Sequence, residues 1–180
     1  MRTVRAAPVW LLLCALWAGC GESGNGDGNG MSCVSGFCID PATGLEWTHP
    51  GVSKQGDELL AYCGDLELGG HDDWRLPAIG ELRTLVRGCA AMATGGECTV
   101  TDDCLDRQTC WHDACNGCAG NQGPGVNGCY WDAALGGGCA IHLSSSDSGA
   151  QKWGISFNTA GLNDFNPHST RYTTRCVRGD

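Results

Sequence analysis

Hydrophobic alternation is clearest near the C-terminal end. In WGISFNT, Trp153, Ile155 and Phe157 share one face of an extended chain. Thr170–Arg178 alternates in the same way, with Tyr172, Thr174 and Cys176 on one face. Both stretches predict strands. Earlier, CVSGFC reads as a small clasp about a turn. DPATGLEWT reads as a turn followed by a strand with Leu45 and Trp47 on one face. Between these lie two helical patterns. Residues 56–68 place Leu59, Cys63 and Leu66 at i, i+4 and i+7, and Gly69-Gly70 supplies a stop. A second helix starts at or just after Pro77, carries Ile79, Leu82, Leu85 and Val86 as its apolar stripe, and ends at Gly88. The order strand, helix, helix, long loops, strands predicts an α+β domain of two helices with a small antiparallel sheet.

From Cys89 to Cys139 the periodicity fades. Eight cysteines fall there, at 89, 98, 104, 110, 115, 118, 129 and 139, among many Gly, Asn and Asp. The stretch reads as a long loop region stapled by disulfides and not as a second core.

Composition changes the picture at the N-terminus. Arg2 and Arg5 precede an apolar run from Val9 to Trp17, a secretion signal too short for a membrane span. Leu16-Trp17-Ala18-Gly19-Cys20 resembles a bacterial lipobox, with Trp17 where a small aliphatic is usual. The expectation is a signal peptide over 1–19, lipidation at Cys20 and membrane anchoring through that lipid, at the outer membrane or cell surface. A Gly-rich tether over 20–32 follows, and then a folded domain over 33–180 with the Cys-rich insertion at about 89–139. GNGDGNG imitates the start of a calcium loop, but position twelve would be Gly36, so it reads as linker. Of 14 cysteines, Cys14 leaves with the signal and Cys20 takes the lipid. The rest are even in number, which suits disulfides in an oxidising compartment. Losing Arg2 and Arg5 makes a formal charge of −9 more negative still. Such a chain is a poor partner for nucleic acid or sulfated polyanions.

The blocks TGLEW, AYCGDLELGGHDDWRLPAIGEL, SSSDSGAQKWGISFN and RCVR, in that order, resemble the Lcl C-terminal domain family of bacterial surface proteins. The resemblance covers roughly residues 40–180, with the Cys-rich stretch as an elaboration. It implies a C-type-lectin-like α+β fold whose terminal strands lie side by side, export, and a binding or adhesive role. It also implies a disulfide between Cys63 and Cys176, because lectin-like folds commonly tie a first-helix cysteine to the last strand. Where relatives often carry an aromatic, AIHLSSSD carries His142.

Several stretches could carry chemistry. Trp74-Arg75-Leu76-Pro77 lacks a nucleophile–base arrangement and reads as a corner between the helices, with Pro77 suited to a first helical turn. Asp72 and Asp73 read as solvated or capping residues. CWHDACNGC offers Cys110, His112, Cys115 and Cys118 to zinc, but export and the even cysteine count favour disulfides beside an incidental histidine. Asp102, Asp103 and Asp106 could hold calcium or form a solvated acidic loop. Ser144–Ser146 lie outside any Gly-x-Ser-x-Gly elbow. Arg178-Gly179-Asp180 spells an adhesion tripeptide, best read as chance. The ligand-loop candidate is GLNDFNPHST, with Asn163, Asp164 and Asn166. Its Asn-Asp pair resembles the one lectin-like domains use for calcium and sugar, yet Leu162 replaces the usual tryptophan, and Asn-Asp-x-Asn-Pro is also plain turn chemistry.

The function this predicts is a lipid-anchored recognition or adhesion protein for a glycan or another envelope or extracellular component. It is not expected to be an enzyme or to need a cofactor. A structural envelope lipoprotein without a small ligand is the competing class, and a calcium-dependent module or enzyme on the same scaffold is the third.

Overall fold

In a computed structural model of the chain, the structure describes residues 30–179. The signal, Cys20 and most of the tether lie outside the described residues. The fold takes in the tether's last residues. Met31 is buried, its N–H donates to Asp132 Oδ2 at 3.1 Å, and β1 opens at Ser32.

Strands β1 (Ser32–Val34) and β2 (Phe37–Ile39) form a hairpin, with Cys33 directly opposite Cys38 and bonded to it. Strand β3 (Glu46–Thr48) pairs with β2, and β9 (Val177–Arg178) pairs with β3, all antiparallel. This four-stranded sheet joins the two ends of the domain. A second sheet has the order β4-β8-β5-β6-β7, from Val52–Lys54, Tyr172–Thr174, Ile141–Ser148, Gln151–Ser156 and Gly161–Phe165. Where one antiparallel sheet was expected, there are two, and β5 with β8 is a parallel pair, His142 facing Thr173.

The alternation over Thr170–Arg178 does not make one strand. It breaks at Arg175-Cys176 into β8 in one sheet and β9 in the other. Arg175 is buried, and its guanidinium donates to the carbonyls of Thr48 (2.9 Å), Leu135 (3.1 Å) and Gly136 (2.9 Å). Cys176 N–H turns to Thr48 Oγ1 at 2.9 Å. Reaching these partners takes both residues out of the ladder.

Helix α1 is Gly56–Ala61, shorter than the predicted 56–68. Gly64 is a poor helix former, and Cys63 is drawn aside to bond Cys176, 5.4 Å away between Cα atoms. Leu59 and Cys63 consequently enter different clusters, Leu59 with Leu143 and Tyr172, Cys63 with Trp74 and Cys176. Helix α2 is Ile79–Thr84, and its whole predicted stripe, Ile79, Leu82, Leu85 and Val86, is buried. A third helix, α3 (Arg107–Cys110), corrects the expectation of two. It sits inside the Cys-rich stretch, capped by Asp106 Oδ1 accepting from Gln108 N–H at 3.0 Å.

That stretch is no separate core. Met92, Val100, Tyr130, Trp131 and Leu135 join Trp47, Ile79, Leu82, Trp153 and Phe157 in the main cluster. Trp131 lies 4.7 Å from Phe157 between ring centres. Four disulfides close within the stretch: Cys89–Cys118, Cys98–Cys115, Cys104–Cys110 and Cys129–Cys139.

Candidate functional site

The Trp74–Pro77 block is a joint. Trp74 is buried against the Cys63–Cys176 bridge and Phe37, and its Nε1 donates to Leu68 O at 3.1 Å. Arg75 pairs its backbone with Val177 and grips both oxygens of Glu81 at 2.7 Å. Glu81 Oε2 accepts in turn from Ala78 N–H at 2.8 Å, the return half of a capping box. Pro77 sits one residue before the N-cap, outside the first turn where it was expected, and its carbonyl accepts from Ser145 N–H at 2.7 Å. Asp73 is not merely solvated. It accepts from Arg178 Nε at 2.8 Å, while Glu46 holds Arg178 NH1 at 2.7 Å. These two carboxylates raise the guanidinium's pKa and hold its charge within the fold.

The Ser144–Ser146 run is also architectural. Ser144 Oγ donates to Trp153 O at 2.8 Å, Ser145 Oγ to Pro77 O at 3.2 Å and Ser146 Oγ to Asp102 Oδ1 at 3.1 Å. Asp102 also accepts from Gly80 N–H at 2.8 Å, which ties the Cys-rich loop to the start of α2. Asp106 caps α3, and Asp103 is exposed. Cys110, Cys115 and Cys118 go into three different disulfides, which leaves His112 without thiolate partners. Among the described residues no three His, Cys, Asp or Glu side chains gather as metal ligands. His142 is fully buried edge-on to Trp131 and Phe157, its pKa pushed down to about 3 by burial and then by the nearby Arg175 charge. It is a neutral core histidine.

The predicted ligand segment divides. Residues 161–165 are strand β7, not loop, because Gly154, Trp153 and Lys152 of β6 pair with Asn163, Asp164 and Phe165. Asn166 lies beyond it in a turn, its Oδ1 accepting from His168 N–H at 2.9 Å and its carbonyl from Ser169. Asn163 and Asp164 line a cleft of about 560 Å³, together with Leu105, Asp106, Arg107, Gln108 and the β5–β6 turn; Asn166 does not.

Arg107 is the centre of this cleft. Its Nε donates to Asn163 Oδ1 at 2.7 Å and lies 3.3 Å from Asp164 Oδ1. The guanidinium stacks 4.3 Å over the Trp111 ring, and Trp111 Nε1 donates to Leu162 O at 2.7 Å. Ser148 Oγ donates to Asp164 Oδ2 at 3.3 Å, and Gly149 N–H to Leu105 O at 2.8 Å. Sequence reasoning missed Arg107, Gln108, Ser148 and Gln151. One signal could have found the first: Arg107 is the only Lys or Arg between Arg87 and Lys152.

The six disulfides among the described residues fit an extracytoplasmic protein. Among the described residues no helix is long and apolar enough to cross a membrane. The family model of the Lcl C-terminal domain matches residues 36–178. No curated protein and no solved structure matches the chain.

Proposed function

The chain belongs to the Lcl C-terminal domain family, and from that premise we propose that it is an extracytoplasmic recognition or adhesion protein. It binds a glycan, or another envelope or extracellular component, in the cleft between α3 and β7. A lipid on Cys20 anchors it to the outer membrane or cell surface of a bacterium, and the tether holds the domain clear of the bilayer. The scaffold is C-type-lectin-like, with its terminal strands paired through β3 and β9. The role is binding without catalysis.

One observation carries this reading. Polar side chains from distant parts of the chain, Arg107, Gln108, Gln151, Asn163 and Asp164, line one solvent-facing cleft beside exposed Leu105. A few convergent polar groups fix a ligand's orientation in a binding cleft, and here they make up most of the lining. The serines that could have suggested hydrolysis are occupied in holding β5 to β6, to Pro77 and to Asp102.

The test is a glycan-array screen of the whole oxidised protein beside its Arg107→Gln variant. Binding by the wild type that the variant loses, with an unchanged melting temperature, supports the reading. Binding that survives Arg107→Gln moves the site elsewhere. No binding to any glycan favours a structural envelope protein whose disulfides serve durability alone.

A further inference from the structure

The Asn163–Asp164 pair is where resemblance to sugar-binding lectin-like domains would place calcium. The surrounding residues do not fit that ion. Calcium needs six to eight oxygens at about 2.3–2.6 Å. Here Asn163 Oδ1 already accepts from Arg107 Nε at 2.7 Å, and Asp164 Oδ1 lies 3.3 Å from the same nitrogen. The other Asp164 oxygen accepts from Ser148 at 3.3 Å. A guanidinium in this position fills the space a metal would need and repels a dication. It lies 4.3 Å over the Trp111 ring, and Asp106, the cap of α3, belongs to a loop closed by Cys104–Cys110.

We propose that Arg107 is the cleft's built-in cation, standing in place of a metal, and that the cleft takes an uncharged polyhydroxyl ligand such as a neutral saccharide, without calcium. The ligand class rests on the recognition reading above. Asp164 offsets the charge of Arg107, and Asp106 adds a negative charge at the rim. An anionic ligand would meet a net negative cleft on a chain of formal charge −9. Hydroxyl groups both donate and accept, which matches the mixed lining of guanidinium, two Gln amides and carboxylates. Leu105, 64% exposed, offers an apolar rim to the C–H face of a sugar ring.

Two titrations of the whole oxidised protein test this. The first uses calcium chloride alone, followed by the backbone amide resonances of Asn163 and Asp164. The expected result is no saturable shift up to about 10 mM, well above the dissociation constants of weak extracellular calcium sites. A saturable shift at both residues overturns the built-in cation. The second compares neutral oligosaccharides with sialylated or sulfated counterparts, each with and without EDTA. Neutral ligands are expected to bind equally in EDTA, and acidic ones at least about tenfold more weakly. Loss of neutral binding in EDTA, or a preference for acidic ligands, overturns the proposal. Arg107→Lys is expected to weaken binding about tenfold at unchanged melting temperature, because an ammonium lacks the planar fork of donors that a guanidinium keeps while stacked on Trp111. Unchanged affinity in that variant overturns the role of the guanidinium. If no saccharide binds, the recognition reading falls and the ligand class with it, while the calcium titration still decides whether Arg107 excludes the metal.

Discussion

Residues 141–178 and residues 89–139 press on the same core by different means. The first region is built of ladders. Strands β5 to β8 are joined in the order β8-β5-β6-β7, and Trp153, Ile155 and Phe157 point inward at every second position. The second has no strand among the described residues, only short helical turns. It holds its shape with four internal disulfides and with bonds from side chains to carbonyls. Buried Arg83 of α2 donates to Met92 O (3.1 Å), Ala93 O (2.9 Å) and Val100 O (2.6 Å) of the irregular stretch. Trp153 Nε1 donates to Cys104 O at 2.6 Å. Where regular structure cannot satisfy buried carbonyls, long donors from the regular region do so. The cleft lies on the seam, with Arg107 from the irregular side and Asn163 and Asp164 from the ladder.

The largest effects should come from cross-links and core aromatics. Replacing Cys63 and Cys176 by serine opens a loop of 113 residues and is expected to cost about 4–5 kcal/mol in urea unfolding. Opening Cys104–Cys110, which closes only six, should cost about 2 kcal/mol. Equal costs would mean that the two bridges do not act through loop length. Trp131→Ala is expected to cost about 3–5 kcal/mol, as for any large core aromatic. A cost under about 1 kcal/mol would show that the irregular stretch is a detachable cover.

A smaller effect follows from His142. Its folded pKa of about 3 lies below the ordinary value near 6.5. The unfolded chain therefore binds the extra proton first as pH falls. The stabilisation is fully present above pH ~6.5 and is lost toward pH ~3, with a slope of at most about 1.4 kcal/mol per pH unit. His142→Leu should flatten this part of the stability profile measured by urea unfolding. An unchanged slope would place the acid sensitivity elsewhere. The smallest effect is expected at the surface pair Lys152–Asp147, at 2.5 Å but with Asp147 well exposed. Lys152→Ala should change stability by about 0.5 kcal/mol or less.

The same contrast explains what could be read from the chain. The stripe of α2 and the inward face of β6 were legible because period 3.6 and period 2 each leave a mark on the apolar positions. The break at Arg175 was not, since alternation continues through it and only the partners of the buried guanidinium reveal the change of sheet. Helix α3 is too short to show a period. The cleft was half legible. Asn163 and Asp164 stand out as a pair, while Asn166, two residues on, follows the competing turn reading and serves only the turn. Arg107 and Gln151 come from other segments and meet the pair through the fold of the irregular stretch, which no spacing encodes.

The claim on which the cleft depends is that the two regions share one cooperative core. Native-state hydrogen exchange tests it most directly at the backbone bonds crossing the seam: Cys118 N–H to Thr159 O (2.7 Å), Asn121 N–H to Asn158 O (2.6 Å) and Tyr130 N–H to Phe157 O (2.8 Å). The account predicts that these amides exchange only through global unfolding, with the protection of the β6 ladder. Exchange about a hundredfold faster than β6, at unchanged global stability, would contradict it.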